Sequence, residues 1–218
     1  MDPERRGLVA AYWWQRAAGE MTSWVGWQHV LEDLRAEGSP ETVIALGERA
    51  VADEHQHALW CRDWAETFGH SCGEIRPRGT RPFTLPGATD AQNRLLRITL
   101  CCFTETVGCF TLRHARPALG AEPLRQLNQR HLADELQHSR ACWAHLSTLD
   151  AHQKDQLRSS VPKLLALLPH ICCGGSEEKE ELVPFGYFTP RLLRAALDDA
   201  LQSVIQPGLE HLNLNQAA

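Results

Sequence analysis

The 218-residue chain contains no run of eighteen consecutive apolar residues, and no uninterrupted apolar stretch of signal-peptide type follows its opening Met1-Asp2-Pro3-Glu4-Arg5-Arg6. A membrane-spanning helix needs about 20 mostly apolar residues, and a secretory leader needs a basic start followed by an apolar segment. The expectation is a cytoplasmic protein with no membrane partner. Dense Lys/Arg runs are missing too, and the net charge is -5, which argues against nucleic acid or an anionic lipid surface as the main partner. Eight cysteines are present but no Cys-x-x-Cys pair, so a zinc site of that type is excluded. Cys61, Cys102, Cys109 and Cys142 fall at helix-core spacing, and the cysteines are expected to be reduced thiols. No Gly-x-Gly-x-x-Gly, iron–sulfur cysteine set or Cys-x-x-Cys-His occurs, so no nucleotide, cluster or haem cofactor is built in.

What is present is helical periodicity, and no Val/Ile/Thr-rich strand run competes with it. The expectation is an all-α single domain over residues 1–218. A first helix is expected from about Glu4 to Glu37, ending at Gly38-Ser39-Pro40, with Ser39 as N-cap and Pro40 in the first position of the next helix. That second helix runs to about Phe68. Residues Gly69 to Thr89 are rich in Gly and Pro and read as a loop. A return along a helix of roughly 40 Å needs on the order of fifteen to twenty extended residues, which is this loop's length. A third helix follows from about Asp90 to Arg116, a break from Pro117 to Pro123, and a fourth helix from about Glu122 to Leu149. Two antiparallel hairpins joined by one long crossover form a ferritin-like four-helix bundle. Residues 150–218 are expected to add two C-terminal helices, about Ala151 to Leu168 and Pro190 to about Ile205. Between them lies an irregular stretch containing Cys172-Cys173-Gly174-Gly175, and Glu177-Glu178-Lys179-Glu180-Glu181 reads as solvated surface.

The apolar seam of each bundle helix is interrupted only at mid-length. The first carries Glu20 between Trp13, Ala17 and Trp24, Trp27; the second carries Glu54 and His57 between Ala50 and Cys61. The third has Glu105 between Cys102 and Cys109, and the fourth has His131, Glu135 and His138 between Leu127 and Cys142. Buried carboxylates and imidazoles are costly unless paired or metal-bound, and metal is one explanation common to all four seams. In two helices Glu is followed three residues later by His, which puts both on one face. Glu from two helices and Glu-x-x-His from two others is the ligand pattern of di-iron and di-manganese bundles.

Depth agrees. Glu20 lies eighteen residues before Gly38 and Glu54 sixteen after it, while Glu105 lies twelve before Pro117 and Glu135 twelve after Pro123. Asp53-Glu54-His55-Gln56-His57 with Cys61 is echoed by Asp134-Glu135-Leu136-Gln137-His138 with Cys142, at an offset of 81. Asp53 and Asp134 are candidates to hold histidine N–H groups, or ordinary surface aspartates. Glu20 shares its helix with Glu32. His131, one turn before Glu135, is read as a seventh ligand, the other role for such a residue being a hydrogen-bonded core histidine.

Glu, Glu-x-x-His, Glu and His-x-x-x-Glu-x-x-His over four helices resembles the p-aminobenzoate N-oxygenase type of di-iron enzyme. The pattern falls on Glu20, Glu54, His57, Glu105, His131, Glu135 and His138, and the resemblance spans roughly Glu4 to Leu149 of a chain shorter than those enzymes. It implies O₂ as co-substrate and oxidation of a small-molecule amine, typically an arylamine of natural-product biosynthesis. C–H hydroxylation or desaturation, and a non-enzymatic ferritin-like metal carrier, are the alternatives. The O/N donor set suits two iron ions, with manganese as second choice, and electrons must come from an external donor or reductase. A homodimer is allowed for. Small side chains at Ala17, Cys102, Gly108 and Cys109 would leave room for substrate, or simply allow close helix packing. Trp13, Trp24 and Trp27 would line a pocket or the core, and His211 would need the last helix to fold over the site.

Overall fold

The computed structural model describes residues 1–71, 73–174 and 177–215. Cys72, one of the expected thiols, and Gly175, the end of the irregular stretch, lie outside the described residues, as do residues 216–218. Among the described residues the protein is all-helical, with no strand.

Helix α1 (Pro3–Ala36) begins where the Asp2 carboxylate accepts the Arg5 N–H at 3.0 Å with Pro3 in the first turn. It ends where Gly38 takes a left-handed φ of 69° and the Ser39 N–H returns to the Leu34 carbonyl at 3.0 Å. Helix α2 (Glu41–Thr67) then starts one residue later than expected. Pro40 itself occupies the cap position and no side chain caps the helix. Ser39 is not available for that role, because its hydroxyl lies 2.7 Å from the buried His145 Nδ1.

Helix α1 and helix α2 are antiparallel: Arg6 reaches the Phe68 carbonyl, Cys61 faces Glu20, and Arg35 pairs with Glu48. The connection after α2 travels back along α1. Arg78 bonds Thr22 and the Gln15 carbonyl, the Thr80 carbonyl meets His29, and the Phe83 carbonyl accepts from Arg97. Helix α3 (Asp90–Ala115) opens with a capping box between Thr89 and Gln92. It is locked to the far end of α1 by Arg97 on Asp33, two contacts of 2.7 Å each, and by Arg94 on Glu37 at 2.6 Å. After a short turn at Arg116–Ala118, helix α4 (Glu122–Thr148) runs back beside α3, with Thr106 on Ser139 at 2.9 Å and Asn128 on the Leu112 carbonyl at 3.2 Å. Helices α2 and α3 thus run opposite to α1 and α4, and the long crossover joins the two hairpins.

The stretch Asp90–Ala118 is long and apolar enough, by composition, to cross a membrane, yet 72% of its apolar window is buried inside the protein. Its position explains the composition, since α1, α4 and two C-terminal helices, Val161–Cys172 and Pro190–Ala200, all pack on α3.

The C-terminal part departs from the expected two helices. The fifth helix is broken into α5 (Ala151–Arg158) and α6 (Val161–Cys172) at Ser159-Ser160, because Pro162 offers no N–H and fits only a first turn. Cys172 therefore closes a helix instead of lying in an irregular stretch. Helix α7 (Pro190–Ala200) continues through one wider turn, Leu201–Ile205, into α8 (Gln206–His211), beyond the expected end at Ile205. The wide turn has its reason in Pro207, whose ring would collide with the preceding turn of a regular helix. His211 ends α8 exposed and takes no part in the cluster described below. Glu177, Glu178, Glu180 and Glu181 are exposed, as expected.

Candidate metal centre

Each central helix turns its mid-length polar residues inward, toward the space between the four. Glu54, His57, Glu105, His131, Glu135 and His138 are all buried, and Glu20 is half-buried. All seven residues singled out in the sequence meet there, in two adjoining groups. One is Glu54, Glu105, Glu135 and His138; the other is Glu20, His57 and His131; within each, one potential ligand atom per residue lies within 4.8 Å of the others. The first group is fully buried and can hold a metal ion.

Two carboxylates face both groups. Glu54 sets Oε1 3.2 Å from His138 Nδ1 and Oε2 3.8 Å from His57 Nδ1. Glu135 sets Oε2 3.8 Å from His138 Nδ1, and Oε1 3.7 Å from His57 Nδ1 and 2.9 Å from His131 Nε2. Glu105 Oε2 adds a contact of 3.3 Å to His138 Nδ1. Helices α2 and α4 therefore supply two carboxylates with one oxygen for each group, while α3 and α1 supply Glu105 to one and Glu20 to the other.

The outer edge of each imidazole is held across the hairpins. His57 Nε2 lies 3.3 Å from Asp134 Oδ2, and His138 Nε2 lies 3.4 Å from Asp53 Oδ2. Arg49, on the surface, touches both aspartates, at 3.2 Å to Asp53 and 3.4 Å to Asp134. Trp27 donates its indole N–H to Glu105 Oε1 at 3.2 Å. Sequence reasoning placed Trp27 in the seam and missed this bond. Trp13 and Trp27 are core residues, as one reading of them held.

The inner atoms test whether a metal fits. His57 Nδ1, His138 Nδ1, Glu54 Oε2 and Glu105 Oε2 are buried without a hydrogen-bond partner. Unpaired buried polar atoms are strongly disfavoured, and cations could satisfy together the four that converge from α2, α3 and α4. The aspartate bonds leave each Nδ1 lone pair pointing inward, as ligation requires. Expected accordingly: Asp53→Asn or Asp134→Asn weakens metal binding about 10–100-fold while the fold is kept, measured by competition with a chelator.

Without metal, protons balance the carboxylates. Burial works against the His57 imidazolium, but Asp134 and Glu54 outweigh it and hold His57 up at about 9. Burial likewise opposes His138, which Glu105 and Glu54 raise to about 11. Burial together with Glu105 and Glu54 pushes Glu135 well above the carboxylate range. His131 is pushed well below the ordinary imidazole value by burial and by His57, so it is neutral and ready to ligate.

These shifts set a pH dependence. Relative to an unfolded histidine near 6.5, the raised His57 and His138 add stability to the metal-free protein that is full below about 6.5. It is lost as pH climbs through about 9 and then about 11, and Glu135 acts in the same direction. The urea midpoint of the metal-free protein is expected to fall as pH rises from about 6.5, steeply up to about 9 and more gently to about 11. With metal in place of the protons, the fall is expected to disappear over that window.

A cavity of about 350 Å³ opens onto Glu20, His131 and Glu135. Gly108 lines it, and a Cβ there would sit 3.5 Å from Glu135 Oε2. Ala17, Cys102 and Cys109 are packed in the core instead. The outer wall comes from the C-terminal segment: Ile171 and Cys172 of α6, Phe188, and Leu193 of α7. Thus α6 and α7 wall a pocket on one side of the bundle. Comparison of the chain with protein-family models, curated proteins and solved structures gave no match, and the reading of the site rests on its own chemistry.

Proposed function

We propose that this protein is a ferritin-like di-iron oxygenase that uses O₂ to oxidise a small organic substrate, by N-oxygenation of an amine, with an arylamine as the favoured class. The observation that carries the reading is the set of four unpartnered inner atoms on His57, His138, Glu54 and Glu105. Glu54, Glu105, Glu135 and His138 would hold one ion, and Glu20, His57 and His131 the other, with Glu54 and Glu135 offering an oxygen to each. Carboxylate and imidazole donors suit iron, or manganese, better than thiolate-seeking metals. Two irons, once bound, supply the redox capacity to reduce O₂, with the remaining electrons delivered by an external donor.

The chain's own residues do the rest. Asp53 and Asp134 fix the imidazole orientation, and Trp27 steadies Glu105. His131 gives one group an imidazole that the other lacks, and the cavity reaches the ligands on that same side. The substrate would therefore approach the His131 end. A cavity beside the ligands also weighs against a simple metal carrier.

The test is anaerobic loading with Fe(II), followed by mixing with O₂ and recording of optical and Mössbauer spectra with and without an arylamine. A transient species whose decay is accelerated by the arylamine, with an N-oxygenated product detected by mass spectrometry, is expected. Direct conversion to a stable ferric state that ignores amines, with iron accumulating well beyond two per chain, would contradict the proposal.

A further inference from the structure

A second cavity, of about 310 Å³, lies between α1, the crossover and α3. Its inner end meets Glu105 and the buried Trp27, whereas the cavity described above meets Glu20, His131 and Glu135. Thr104 and Ile171 border both. The two spaces differ in chemistry. The first presents Gln15, Arg16, Glu20 and Arg78, with the Arg16 guanidinium carbon 4.6 Å from the Trp13 ring centre, and a polar surface of this kind holds water. The second is walled by Val25, Val30, Pro82, Phe83 and Leu100. Polar groups along it are turned to the protein itself. Thr22 donates to the Ala18 carbonyl at 2.8 Å and Thr104 to the Cys101 carbonyl at 3.1 Å. The His29 ring meets the Thr80 carbonyl at 3.2 Å, and Arg97 is engaged by Asp33. At the inner end Glu105 Oε1 accepts from Trp27 while Oε2 faces His138. A visitor therefore meets mainly apolar surface that ends at a carboxylate of the metal centre.

Helix α1 carries a glycine at each cavity. Gly19 lines the first and Gly26 the second, and among the described residues a Cβ at either would meet no atom of the surrounding protein within 4 Å. Glycine weakens a helix interior relative to alanine, and close packing demands neither residue here, so each leaves open space beside the centre. An oxygenase has two reactants to admit, and an organic molecule in the first cavity would stand between solvent and the ligands on that side. We propose that the second cavity is a dioxygen site: the gas, small and apolar, collects on this surface and reaches the centre at Glu105 while substrate occupies the first cavity. The inference rests on the oxygenase reading above. It adds a separate place for each of the two reactants.

Xenon, used as an apolar gas probe, and the rate of reaction with O₂ test this together. In crystals of the metal-free full chain under xenon pressure, a xenon atom is expected between Val30, Phe83 and Leu100, and none beside Arg16. Gly26→Leu, which favours the helix and fills the space, is expected to exclude it. Loaded anaerobically with Fe(II) and mixed with O₂ in a stopped-flow spectrometer, Gly26→Leu is expected to react about ten-fold or more slowly than wild type at equal iron content. Leu100→Trp narrows the same space from α3 and is expected to act alike, so the test does not depend on one variant folding. Gly19→Leu, which fills the first cavity instead, is expected to stay within about two-fold of the wild-type rate at equal iron content. Absence of xenon from the second cavity of wild type, or wild-type rates in both Gly26→Leu and Leu100→Trp, overturns the proposal. A wild type that takes up no iron, or takes it up and ignores O₂, refutes the oxygenase reading itself, and the dioxygen site falls with it.

Discussion

Saturation with Mn(II), or with Fe(II) in the absence of O₂, is expected to raise the melting temperature of the metal-free protein by roughly 15–30 °C. The size follows from mass action: a ligand at about 1,000 times its dissociation constant stabilises the folded state by about 4 kcal/mol per site, hence about 8 kcal/mol for two. For a chain of this length about 1 kcal/mol moves the midpoint by roughly 2–4 °C. The metal-free site adds to the contrast, since it gathers four carboxyl groups and two protonated imidazoles and leaves four inner atoms without a hydrogen-bond partner. Metal uptake must displace those protons, so it is expected to acidify a weakly buffered solution and to tighten as pH rises. A midpoint shift of only a few degrees at saturating metal would mean that these side chains are satisfied without it.

Gly186→Ala is expected to be the most damaging single-methyl change, costing about 2–5 kcal/mol. Gly186 has a φ of 86°, and a Cβ there would lie 2.4 Å from Trp13 Cζ2. The left-handed backbone costs a non-glycine residue about 1–2 kcal/mol, and overpacking adds about 1–3 kcal/mol. Trp13 has no easy retreat. It is buried, its indole N–H is held by the Phe185 carbonyl at 2.9 Å, and its ring stacks on Trp64. The same displacement would lift Trp13 from Arg16 and alter the cavity. Gly87 serves as the control, with a φ of 82° but no atom within 4 Å of a Cβ, so Gly87→Ala is expected to cost only the backbone share, about 1–2 kcal/mol. Equal urea midpoints for the two variants would show that the Trp13 contact is not tight.

The bundle and its inward-facing Glu/His cluster were legible because burial makes polar residues conspicuous. A Glu or His in an apolar seam has few explanations, and the 81-residue echo places Glu54 with His57 beside Glu135 with His138. The hairpins and the crossover followed from the Gly38 stop and from a loop long enough to span a helix. What failed to show depends on contacts between segments. Asp53 lies one turn from His57 on its own helix, yet it serves His138, because the antiparallel packing of α2 on α4 turns each outer imidazole edge toward the opposite helix. Arg16 sits one turn before Glu20 and could have been read as its partner, but its place in a cavity depends on Phe188 and α7, over 170 residues away. The break at Ser159-Ser160 was written in the sequence at Pro162, and the apolar periodicity on both sides masked it.

The most direct test of the central claim is the metal content of the protein after anaerobic titration with Fe(II) and removal of loosely bound ion. Close to two irons per chain is expected for wild type, with a clear loss in both Glu105→Ala and His138→Ala. Fewer than one per chain in wild type, or no loss in either variant, would contradict a metal centre built from these residues.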